Sequence, residues 1–241
     1  RQKGKKGMTR IVTKLEPCES FFQFFVPPEI PTEGAEMTEE MEEILMSQID
    51  ADFEMGLIFR DRLVPHGVLW FTGLPASGKS TLAYGLEARL FQAGFATYAF
   101  DSAWLRKGLN NDLGYSRKDR RENIRRAGEL AAVMARAGLV VITGFISPYA
   151  ADRATARAAS NEHFHEIYLD ASPATCEARD SRRRYAAARE GRLKDFTGID
   201  APYEIPETPD LTLPTAVMPV AECLDLLAAF ATSKFHSDAQ G

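Results

Sequence analysis

The residues best suited to chemistry in this sequence form one octapeptide, Gly73-Leu74-Pro75-Ala76-Ser77-Gly78-Lys79-Ser80. Glycines at its two ends let the backbone turn its N–H groups inward around a phosphate, and a following helix points the positive end of its dipole at the same anion. In this pattern Lys79 neutralises the outer phosphates and the Ser80 hydroxyl binds Mg²⁺. The octapeptide is therefore a P-loop, and we expect Lys79 to be exposed there and to make no core contact.

A P-loop works only between a strand and a helix, and the flanking residues predict both. The run at residues 68–72 is apolar and of strand length. After the loop, Leu82, Leu86 and Leu90 recur at helical spacing until Gly94 ends the pattern. A chance glycine-rich turn is the alternative explanation, and this strand-loop-helix context argues against it.

From Val68 onward, short apolar strands alternate with amphipathic helices, which is the pattern of an α/β fold. The predicted strands cover residues 68–72, 97–100, 139–143, 166–169 and 211–213. The predicted helices cover residues 79–92, 119–137, 150–159, 173–180 and 220–232. Ser116 is placed to cap the second helix and Gly138 to end it. We therefore predict a P-loop NTPase-type parallel sheet with helices on both faces, which binds ligands beyond the carboxyl ends of its strands.

Composition limits the class of protein. The 241 residues are 45% apolar, which suits one large domain or a domain with an appendage. Three scattered cysteines, Cys18, Cys176 and Cys223, are too few for a disulfide framework and favour a reducing compartment. No apolar run approaches the length that spans a membrane. We expect a cytoplasmic protein with neither a membrane nor a nucleic-acid partner.

Charge divides the chain into two unlike parts. Residues 1–72 hold eight Lys or Arg and 13 Asp or Glu, whereas residues 73–241 hold 21 of each, so the net charge of −5 belongs to the first part. Within that part, residues 38–63 are predicted to form an acidic amphipathic helix. We predict a short helical N-terminal extension at residues 1–63, a P-loop domain at residues 64–233 and a tail at residues 234–241.

Beyond the P-loop, the informative residues follow the predicted strands. They form the strings Arg106-Lys107-Gly108-Leu109-Asn110, Arg120-Arg121-Glu122-Asn123-Ile124-Arg125-Arg126, Phe145-Ile146-Ser147-Pro148 and Lys194-Asp195-Phe196-Thr197-Gly198-Ile199-Asp200. With the P-loop, these strings resemble adenylylsulfate kinases, which use ATP and Mg²⁺ to phosphorylate the ribose 3′-hydroxyl of adenosine 5′-phosphosulfate (APS). The resemblance covers about residues 67–233 and implies the same fold, activity and substrates, and a role in sulfate assimilation.

The resemblance also implies a role for individual residues. The implied ATP site consists of Gly73, Leu74, Pro75, Ala76, Ser77, Gly78, Lys79, Ser80, Thr81 and Arg179. The implied APS site consists of Arg106, Asn110, Tyr115, Arg120, Asn123, Ile146, Ser147, Lys194 and Phe196. The implied catalytic residues are Lys79, Asp101 and Ser147, and the implied Mg²⁺ ligands are Ser80 and Asp101.

The residue types suit these roles independently. A planar guanidinium fork matches an anionic sulfated nucleotide, and Arg106 and Arg120 occupy the positions that hold it in the family. Tyr115 and Phe196 match the two aromatic positions that sandwich the substrate base, although the first is more often phenylalanine. For each arginine the alternative is a solvated helix face, and for Phe196 it is ordinary loop packing.

Ser147 leaves two roles open. It matches a position described in the family as a phosphoserine intermediate. Direct in-line transfer from ATP is physically sufficient, however, and a loop hydroxyl that shapes the substrate pocket is the alternative.

Two departures from the family pattern bear on activity. The family usually has Asp-Gly-Asp-Asn where this chain has Asp101-Ser102-Ala103-Trp104, so a second carboxylate is missing and Asp101 alone remains as base or metal ligand. Residues 182–189 lie where these kinases carry a mobile lid, and the family's Pro-Lys-Gly-Leu-Tyr there is less basic than Arg182-Arg183-Arg184-Tyr185. Basic residues closing over polyphosphate would stabilise transferring charge; an exposed helix turn is the alternative.

The N-terminal part resembles a second family. Residues 20–28, Ser-Phe-Phe-Gln-Phe-Phe-Val-Pro-Pro, together with residues 51–56 and 64–73, are similar to the later part of the histone-binding domain of nucleosome assembly proteins. The similarity covers about residues 8–73, without that family's dimerisation helix or acidic tail. Histone binding is therefore the weaker alternative to kinase activity, and a catalytically weak nucleotide-binding homologue is the other. A homodimer is also compatible with the sequence.

Overall fold

The computed structural model describes residues 2–3, 9–10, 38–58, 66–160 and 163–235. These residues fall into two compact units that divide between Ile58 and Phe59. In the first unit, β1 (Gln2–Lys3) and β2 (Thr9–Arg10) pair antiparallel, and α1 (Glu39–Ile58) follows. The aromatic string at residues 20–28 and the last part of the predicted helix lie outside the described residues.

Helix α1 exposes the apolar side chains that its sequence pattern places on one stripe. Met41, Ile44, Ile49 and Phe53 are all exposed to solvent. Leu45, on the same stripe, is half-buried, so most but not all of the described apolar side chains of this stripe are exposed.

The second unit is built on one parallel sheet. Its strands are β3 (Gly67–Thr72), β4 (Thr97–Asp101), β5 (Val140–Gly144), β6 (Phe164–Leu169) and β7 (Leu211–Leu213). Their spatial order is β4-β5-β3-β6-β7, and every neighbouring pair is parallel. The strand that enters the P-loop is therefore central, with Leu69 opposite Ile142 on one side and His165 on the other. The predicted parallel α/β fold is confirmed.

Helices connect these strands on both faces. Within the described residues they are α2 (Lys79–Gln92), α3 (Ser102–Leu105), α4 (Arg117–Arg136), α5 (Ala150–Ser160), α6 (Pro173–Arg179), α7 (Arg184–Arg189) and α8 (Val220–Phe235). Ser116 caps α4 by accepting the Asp119 N–H at 3.2 Å, and Gly138 follows its end with φ of 89°. The predicted helices agree with the structure to within three residues, whereas α3 was not predicted and α7 was named only as the alternative for residues 182–189.

Alternate residues of β3 serve two cores, because successive side chains of a strand point to opposite faces. Leu69 and Phe71 pack with the buried faces of α2 and α8. Val68 and Trp70 pack with the buried face of α4. The central strand is therefore packed on both faces directly before the P-loop.

A third apolar cluster lies beside the P-loop, and we call it the loop cluster. It consists of Leu74, Ala171, Cys176, Tyr185, Ala188 and Phe196. Leu74 belongs to the P-loop, Tyr185 to α7 and Phe196 to the loop that follows α7. The loop cluster therefore joins three segments that are distant along the chain.

Strand β4 is the edge of the sheet on one side. The N–H of Ala99 donates to Oε1 of Glu87, on α2, at 2.7 Å. An edge amide that would otherwise face outward is thus paired by a side chain.

The described part of the chain contains no helix that is long and apolar enough to cross a bilayer.

Candidate active site

The P-loop takes its shape from residues with positive φ. Gly73 has φ of 151°, and a Cβ there would lie 2.8 Å from the Leu169 carbonyl oxygen and from the Ser77 hydroxyl. Gly78 has φ of 103° and directly precedes α2, and Ala76 has φ of 61°. The loop therefore turns sharply between the centre of the sheet and the N-terminus of α2, where anions bind.

Lys79 is buried, so the expectation that it is exposed was wrong. Only 8% of it is exposed, and Nζ donates to the carbonyl oxygens of Gly73 at 2.9 Å and Leu74 at 2.6 Å, and to Ser77 Oγ at 3.3 Å. The side chain folds back because the carbonyls of its own loop are the nearest acceptors. Burial is the main reason that the pKa of Lys79 falls to about 7; the nearby Arg184 guanidinium also lowers this pKa, whereas Cys176 and Asp101 raise it. The Lys79 ammonium is thus poised to exchange these carbonyls for phosphate oxygens.

Ser80 and Asp101 meet beside the loop. Ser80 Oγ donates to Asp101 Oδ2 at 2.8 Å, while Asp101 Oδ1 accepts the Trp104 N–H at 2.9 Å and caps α3. One carboxylate oxygen therefore fixes the side chain and the other faces the P-loop hydroxyl. Ala103 lines the same cavity as Asp101 but carries no carboxylate, so the second carboxylate of the family pattern is missing here. Among the described residues, no group of three or more metal-binding side chains adds to this pair.

A cavity of about 650 Å³ opens above the P-loop, and we call it the donor cavity. The predicted ATP-site residues that line it are Pro75, Ala76, Ser77, Gly78, Lys79, Ser80, Thr81 and Arg179. Gly73 and Leu74 lie beneath it, where their carbonyls accept from Lys79. Arg179 donates to the Thr215 carbonyl oxygen at 2.9 Å, and Thr215 Oγ1 donates to the Ser77 carbonyl oxygen at 3.0 Å. Thr215, which the sequence patterns do not single out, thus supports both the cavity wall and the P-loop.

A second cavity of about 310 Å³ adjoins the donor cavity, and we call it the acceptor cavity. The predicted APS-site residues that line it are Arg106, Tyr115, Arg120, Asn123, Ile146, Ser147, Lys194 and Phe196. These residues come from β4–α4, from the end of β5 and from the loop after α7. The structure therefore gathers residues that are spread over 91 positions into one concave surface.

The arginines of the acceptor cavity are fixed by its walls. Arg106 stacks with its guanidinium carbon 4.4 Å from the centre of the Tyr115 ring. Arg120 donates to the Tyr115 carbonyl oxygen at 2.8 Å, to Thr197 Oγ1 at 3.1 Å and to the Asp195 carbonyl oxygen. Arg120 therefore ties the start of α4 to the loop after α7, in addition to facing the cavity.

Asn110 does not line the acceptor cavity but lies one layer behind it. It is fully buried and its side-chain N–H donates to Asn123 Oδ1 at 3.0 Å. Asn123 lines the cavity, so the structure gives Asn110 a role in orienting that amide rather than a surface facing a ligand.

Ser147 is held on both sides by protein groups. It has φ of 38° and is 1% exposed. Its Oγ accepts the Trp70 indole N–H at 3.1 Å and donates to Thr72 Oγ1 at 3.0 Å. The Ser147 carbonyl oxygen in turn accepts from the buried Arg153 at 2.9 Å. These contacts shape the end of β5 at the cavity wall.

The two cavities share a wall. Pro75, Ser102, Ile146 and Arg184 line both of them. The family resemblance implied Ile146 for the APS site and Pro75 for the ATP site, whereas Ser102 is implied for neither site. A group bound in one cavity would therefore lie next to a group bound in the other, which is the arrangement that group transfer between two substrates requires.

Two family models match the chain. The model for adenylylsulphate kinase matches residues 66–214, and the model for nucleosome assembly protein matches residues 1–74. Both resemblances found in the sequence are confirmed.

Individual relatives are similar over the same region. An adenylyl-sulfate kinase of Prochlorococcus marinus is 46% identical over 190 residues, which are 78% of this chain and 94% of that protein. One from Vibrio cholerae is 51% identical over 166 residues, which are 67% of this chain and 77% of that protein. The APS kinase of Mycobacterium tuberculosis, solved with AMPPNP and APS, is 41% identical with a TM-score of 0.65, covering 68% of this chain and 97% of that one.

Proposed function

Because this chain belongs to the adenylylsulfate kinase family, we propose that it transfers the γ-phosphoryl group of ATP to the 3′-hydroxyl of APS. A bond forms between the 3′ oxygen and the γ-phosphorus, the bond from that phosphorus to the β–γ bridging oxygen breaks, and ADP leaves. The product is 3′-phosphoadenosine 5′-phosphosulfate. The observation that carries this proposal is the shared wall of the donor and acceptor cavities beside a P-loop.

The donor cavity suits a nucleoside triphosphate. The loop amides and the N-terminus of α2 provide N–H groups for the phosphates. Lys79 supplies a positive charge that is already desolvated, so its attraction to phosphate is stronger than in water. Arg179, which also lines the donor cavity, is the residue we assign to the remainder of the ATP molecule.

The acceptor cavity suits an adenine nucleotide that carries extra negative charge. Tyr115 and Phe196 offer aromatic faces for the base. Arg106, Arg120 and Lys194 offer positive charge to the phosphosulfate. Asn123, oriented by Asn110, adds a directional hydrogen bond.

Ser80 and Asp101 fit Mg²⁺, because this ion prefers oxygen ligands and commonly takes only one or two protein groups together with substrate phosphates. Bound there with ATP, Mg²⁺ would neutralise charge on the phosphates. Asp101 is also the carboxylate at the end of β4 beside the shared wall, so we assign to it the orientation of the attacking hydroxyl and the acceptance of its proton.

For Ser147 we favour the positioning role. A phosphoserine intermediate needs a hydroxyl that a donor phosphate reaches, whereas this one is buried and engaged by Trp70 and Thr72. Its fixed position shapes the acceptor cavity, and direct transfer from ATP requires no enzyme-bound phosphate.

The test is a coupled assay of the purified chain with ATP, Mg²⁺ and APS. We expect ADP formation that depends on APS. ATP binding without turnover would favour the second candidate, a weak nucleotide-binding homologue, which the missing carboxylate at Ala103 supports. In that case the substitution Ala103→Asp, which rebuilds the family pattern, should raise turnover if the lost carboxylate is the cause.

The remaining assignments concern the surroundings of the enzyme. Cys176 and Cys223 are buried free thiols, which supports a reducing, cytoplasmic location. We keep three domains, at residues 1–63, 64–233 and 234–241, as our proposal. Histone binding through residues 1–63 stays the weaker alternative; it rests on the nucleosome assembly match and on the exposed acidic helix α1. A homodimer also stays a prediction.

A further inference from the structure

Tyr185 links the P-loop to α7 through a buried hydrogen bond. Its side chain is 1% exposed, and its hydroxyl donates to the Pro75 carbonyl oxygen at 3.0 Å. The next residue, Ala76, has the positive φ of 61° that turns the loop. The bond therefore fixes the orientation of the Pro75–Ala76 peptide, which forms part of the donor cavity wall.

The ring of Tyr185 packs against a residue that lines the acceptor cavity. Its ring meets the ring of Phe196 edge to face, with centroids 4.9 Å apart and an interplanar angle of 76°. Phe196 lines the acceptor cavity, where we assign it to the substrate base. A shift of the Phe196 ring on base binding must therefore press on Tyr185, because packed rings leave no free space between them.

A second contact runs in parallel with this one. Gly198, two residues after Phe196, lies so near the P-loop that a Cβ there would be 2.9 Å from Leu74 Cδ2. Leu74, Tyr185 and Phe196 all belong to the loop cluster. The wall of the acceptor cavity and the P-loop are thus packed against each other. The hydrogen bond from the Tyr185 hydroxyl to Pro75 fixes their relative position.

We propose that Tyr185 is a positioning residue through which occupancy of the ATP site and occupancy of the APS site affect each other. This inference rests on the proposed function, since it assigns the two cavities to those substrates. Tyr185 contacts the Phe196 ring, on which the base would stack, and it also bonds the Pro75 carbonyl oxygen. A change at either contact would therefore reach the other through this one side chain. A merely structural tyrosine would support the fold without linking the two affinities.

The test measures the dissociation constant of APS with and without saturating AMPPNP and Mg²⁺. In the unsubstituted chain we expect the nucleotide to tighten APS binding about fivefold or more. In Tyr185→Phe, which keeps the ring but loses the hydroxyl, the ratio of the two constants should fall to within about twofold of one. A ratio of one in the unsubstituted chain, or an unchanged ratio in the variant, would overturn the proposal.

Two further variants separate coupling from folding. Tyr168→Phe removes a hydroxyl that bonds Asp170 at 3.4 Å outside both cavities, and it should keep the full ratio. Phe196→Leu leaves the Tyr185 hydroxyl in place and should lower the ratio, so the proposal stays testable even if Tyr185→Phe folds poorly. Turnover of the unsubstituted chain is measured separately; if it is absent the proposed function fails, whereas intact turnover with no coupling refutes only the role of Tyr185.

Discussion

Lys79 combines a buried position with a role that needs a charge. We predict that Lys79→Ala lowers kcat by several powers of ten, because no other loop side chain replaces the positive charge at the transferring phosphate. The P-loop backbone is held by Tyr185 and Thr215 as well, so the fold should survive. Steady-state turnover and circular dichroism check both points. Lys118→Ala, at an exposed lysine of α4 outside both cavities, is the control that should keep full activity.

The low pKa of Lys79 makes nucleotide affinity depend on pH. Bound phosphates favour the ammonium, so they raise a pKa that is about 7 in the free protein. The affinity for Mg²⁺-AMPPNP is therefore highest below pH 7, where Lys79 is protonated. It falls as pH rises above 7, by at most about tenfold per pH unit. Calorimetric titration between pH 7 and 9 measures this slope. A slope that persists unchanged in Lys79→Ala would assign it to another group.

Arg120 should control affinity for APS more than affinity for ATP. We predict that Arg120→Ala raises KM for APS by a factor that corresponds to about 1.5–3 kcal/mol, the value of a charged hydrogen bond. Arg120→Lys should stay impaired, because one ammonium cannot span Tyr115, Thr197 and Asp195 as the guanidinium fork does. Initial-rate kinetics with each substrate varied in turn is the measurement, and Arg121→Ala, on the exposed side of α4, is the matched control. Equal changes in both KM values would make Arg120 a general structural residue.

For individual residues, the sequence predicts which side chains meet at the site, but it does not predict the contacts that hold them there. Residues that follow parallel strands must meet at one edge of the sheet, and Arg106, Ser147 and Phe196 do line one cavity. Periodicity carries no information on contacts across the chain, however. Tyr185 reaches Pro75 over 110 positions, and the burial of Lys79 depends on carbonyl directions that no residue type encodes.

Helix α7 places an arginine where the family string has leucine. Arg184 lines both cavities and lies 3.7 Å from Asp180, so its guanidinium is only loosely paired. We predict that Arg184→Leu lowers kcat about 100-fold while both KM values change little, since the charge acts where negative charge develops during transfer. Rapid-quench measurement of the chemical step tests this.

Arg183, the neighbour of Arg184, supplies the control for that experiment. It lines neither cavity and has φ of 52°, a conformation that favours glycine. Arg183→Gly should keep full activity and raise stability by about 1 kcal/mol by removing the strain of the left-handed backbone. If Arg183→Gly lost as much turnover as Arg184→Leu, the effect would belong to the helix start and not to the Arg184 charge.

The long helices and strands were predictable because each carries its own apolar period. The shortest helices were not, because the four residues of α3 and the six of α7 hold too few positions for an apolar period to show. Their positions come from tertiary contacts: Asp101 caps α3, and the buried carboxylate of Asp180 accepts the Tyr185 N–H at the start of α7. The observed strand ends differ from the predicted ends by one or two residues for the same reason, since neighbouring strands determine where pairing stops.

For the whole molecule, we predict that residues 1–63 are dispensable for the kinase. In the described part of the chain, all three apolar clusters consist of residues from Val68 onward, and the chain divides into two compact units between Ile58 and Phe59. A chain that begins at residue 64 should keep its kcat and melting temperature, as measured by the coupled assay and by calorimetry. Insoluble protein or a marked fall in melting temperature would show that the N-terminal part has become integral to the kinase fold.

The contact between Glu87 and the Ala99 N–H affects how this protein behaves when it is concentrated. An open β4 edge is a template on which a strand from another chain can add, and repeated addition leads to fibres. Glu87 occupies the amide that such a strand would need, and its carboxylate brings a charge to the site of docking. The same side chain that completes an internal hydrogen bond thereby keeps the sheet at five strands and opposes its growth into an aggregate.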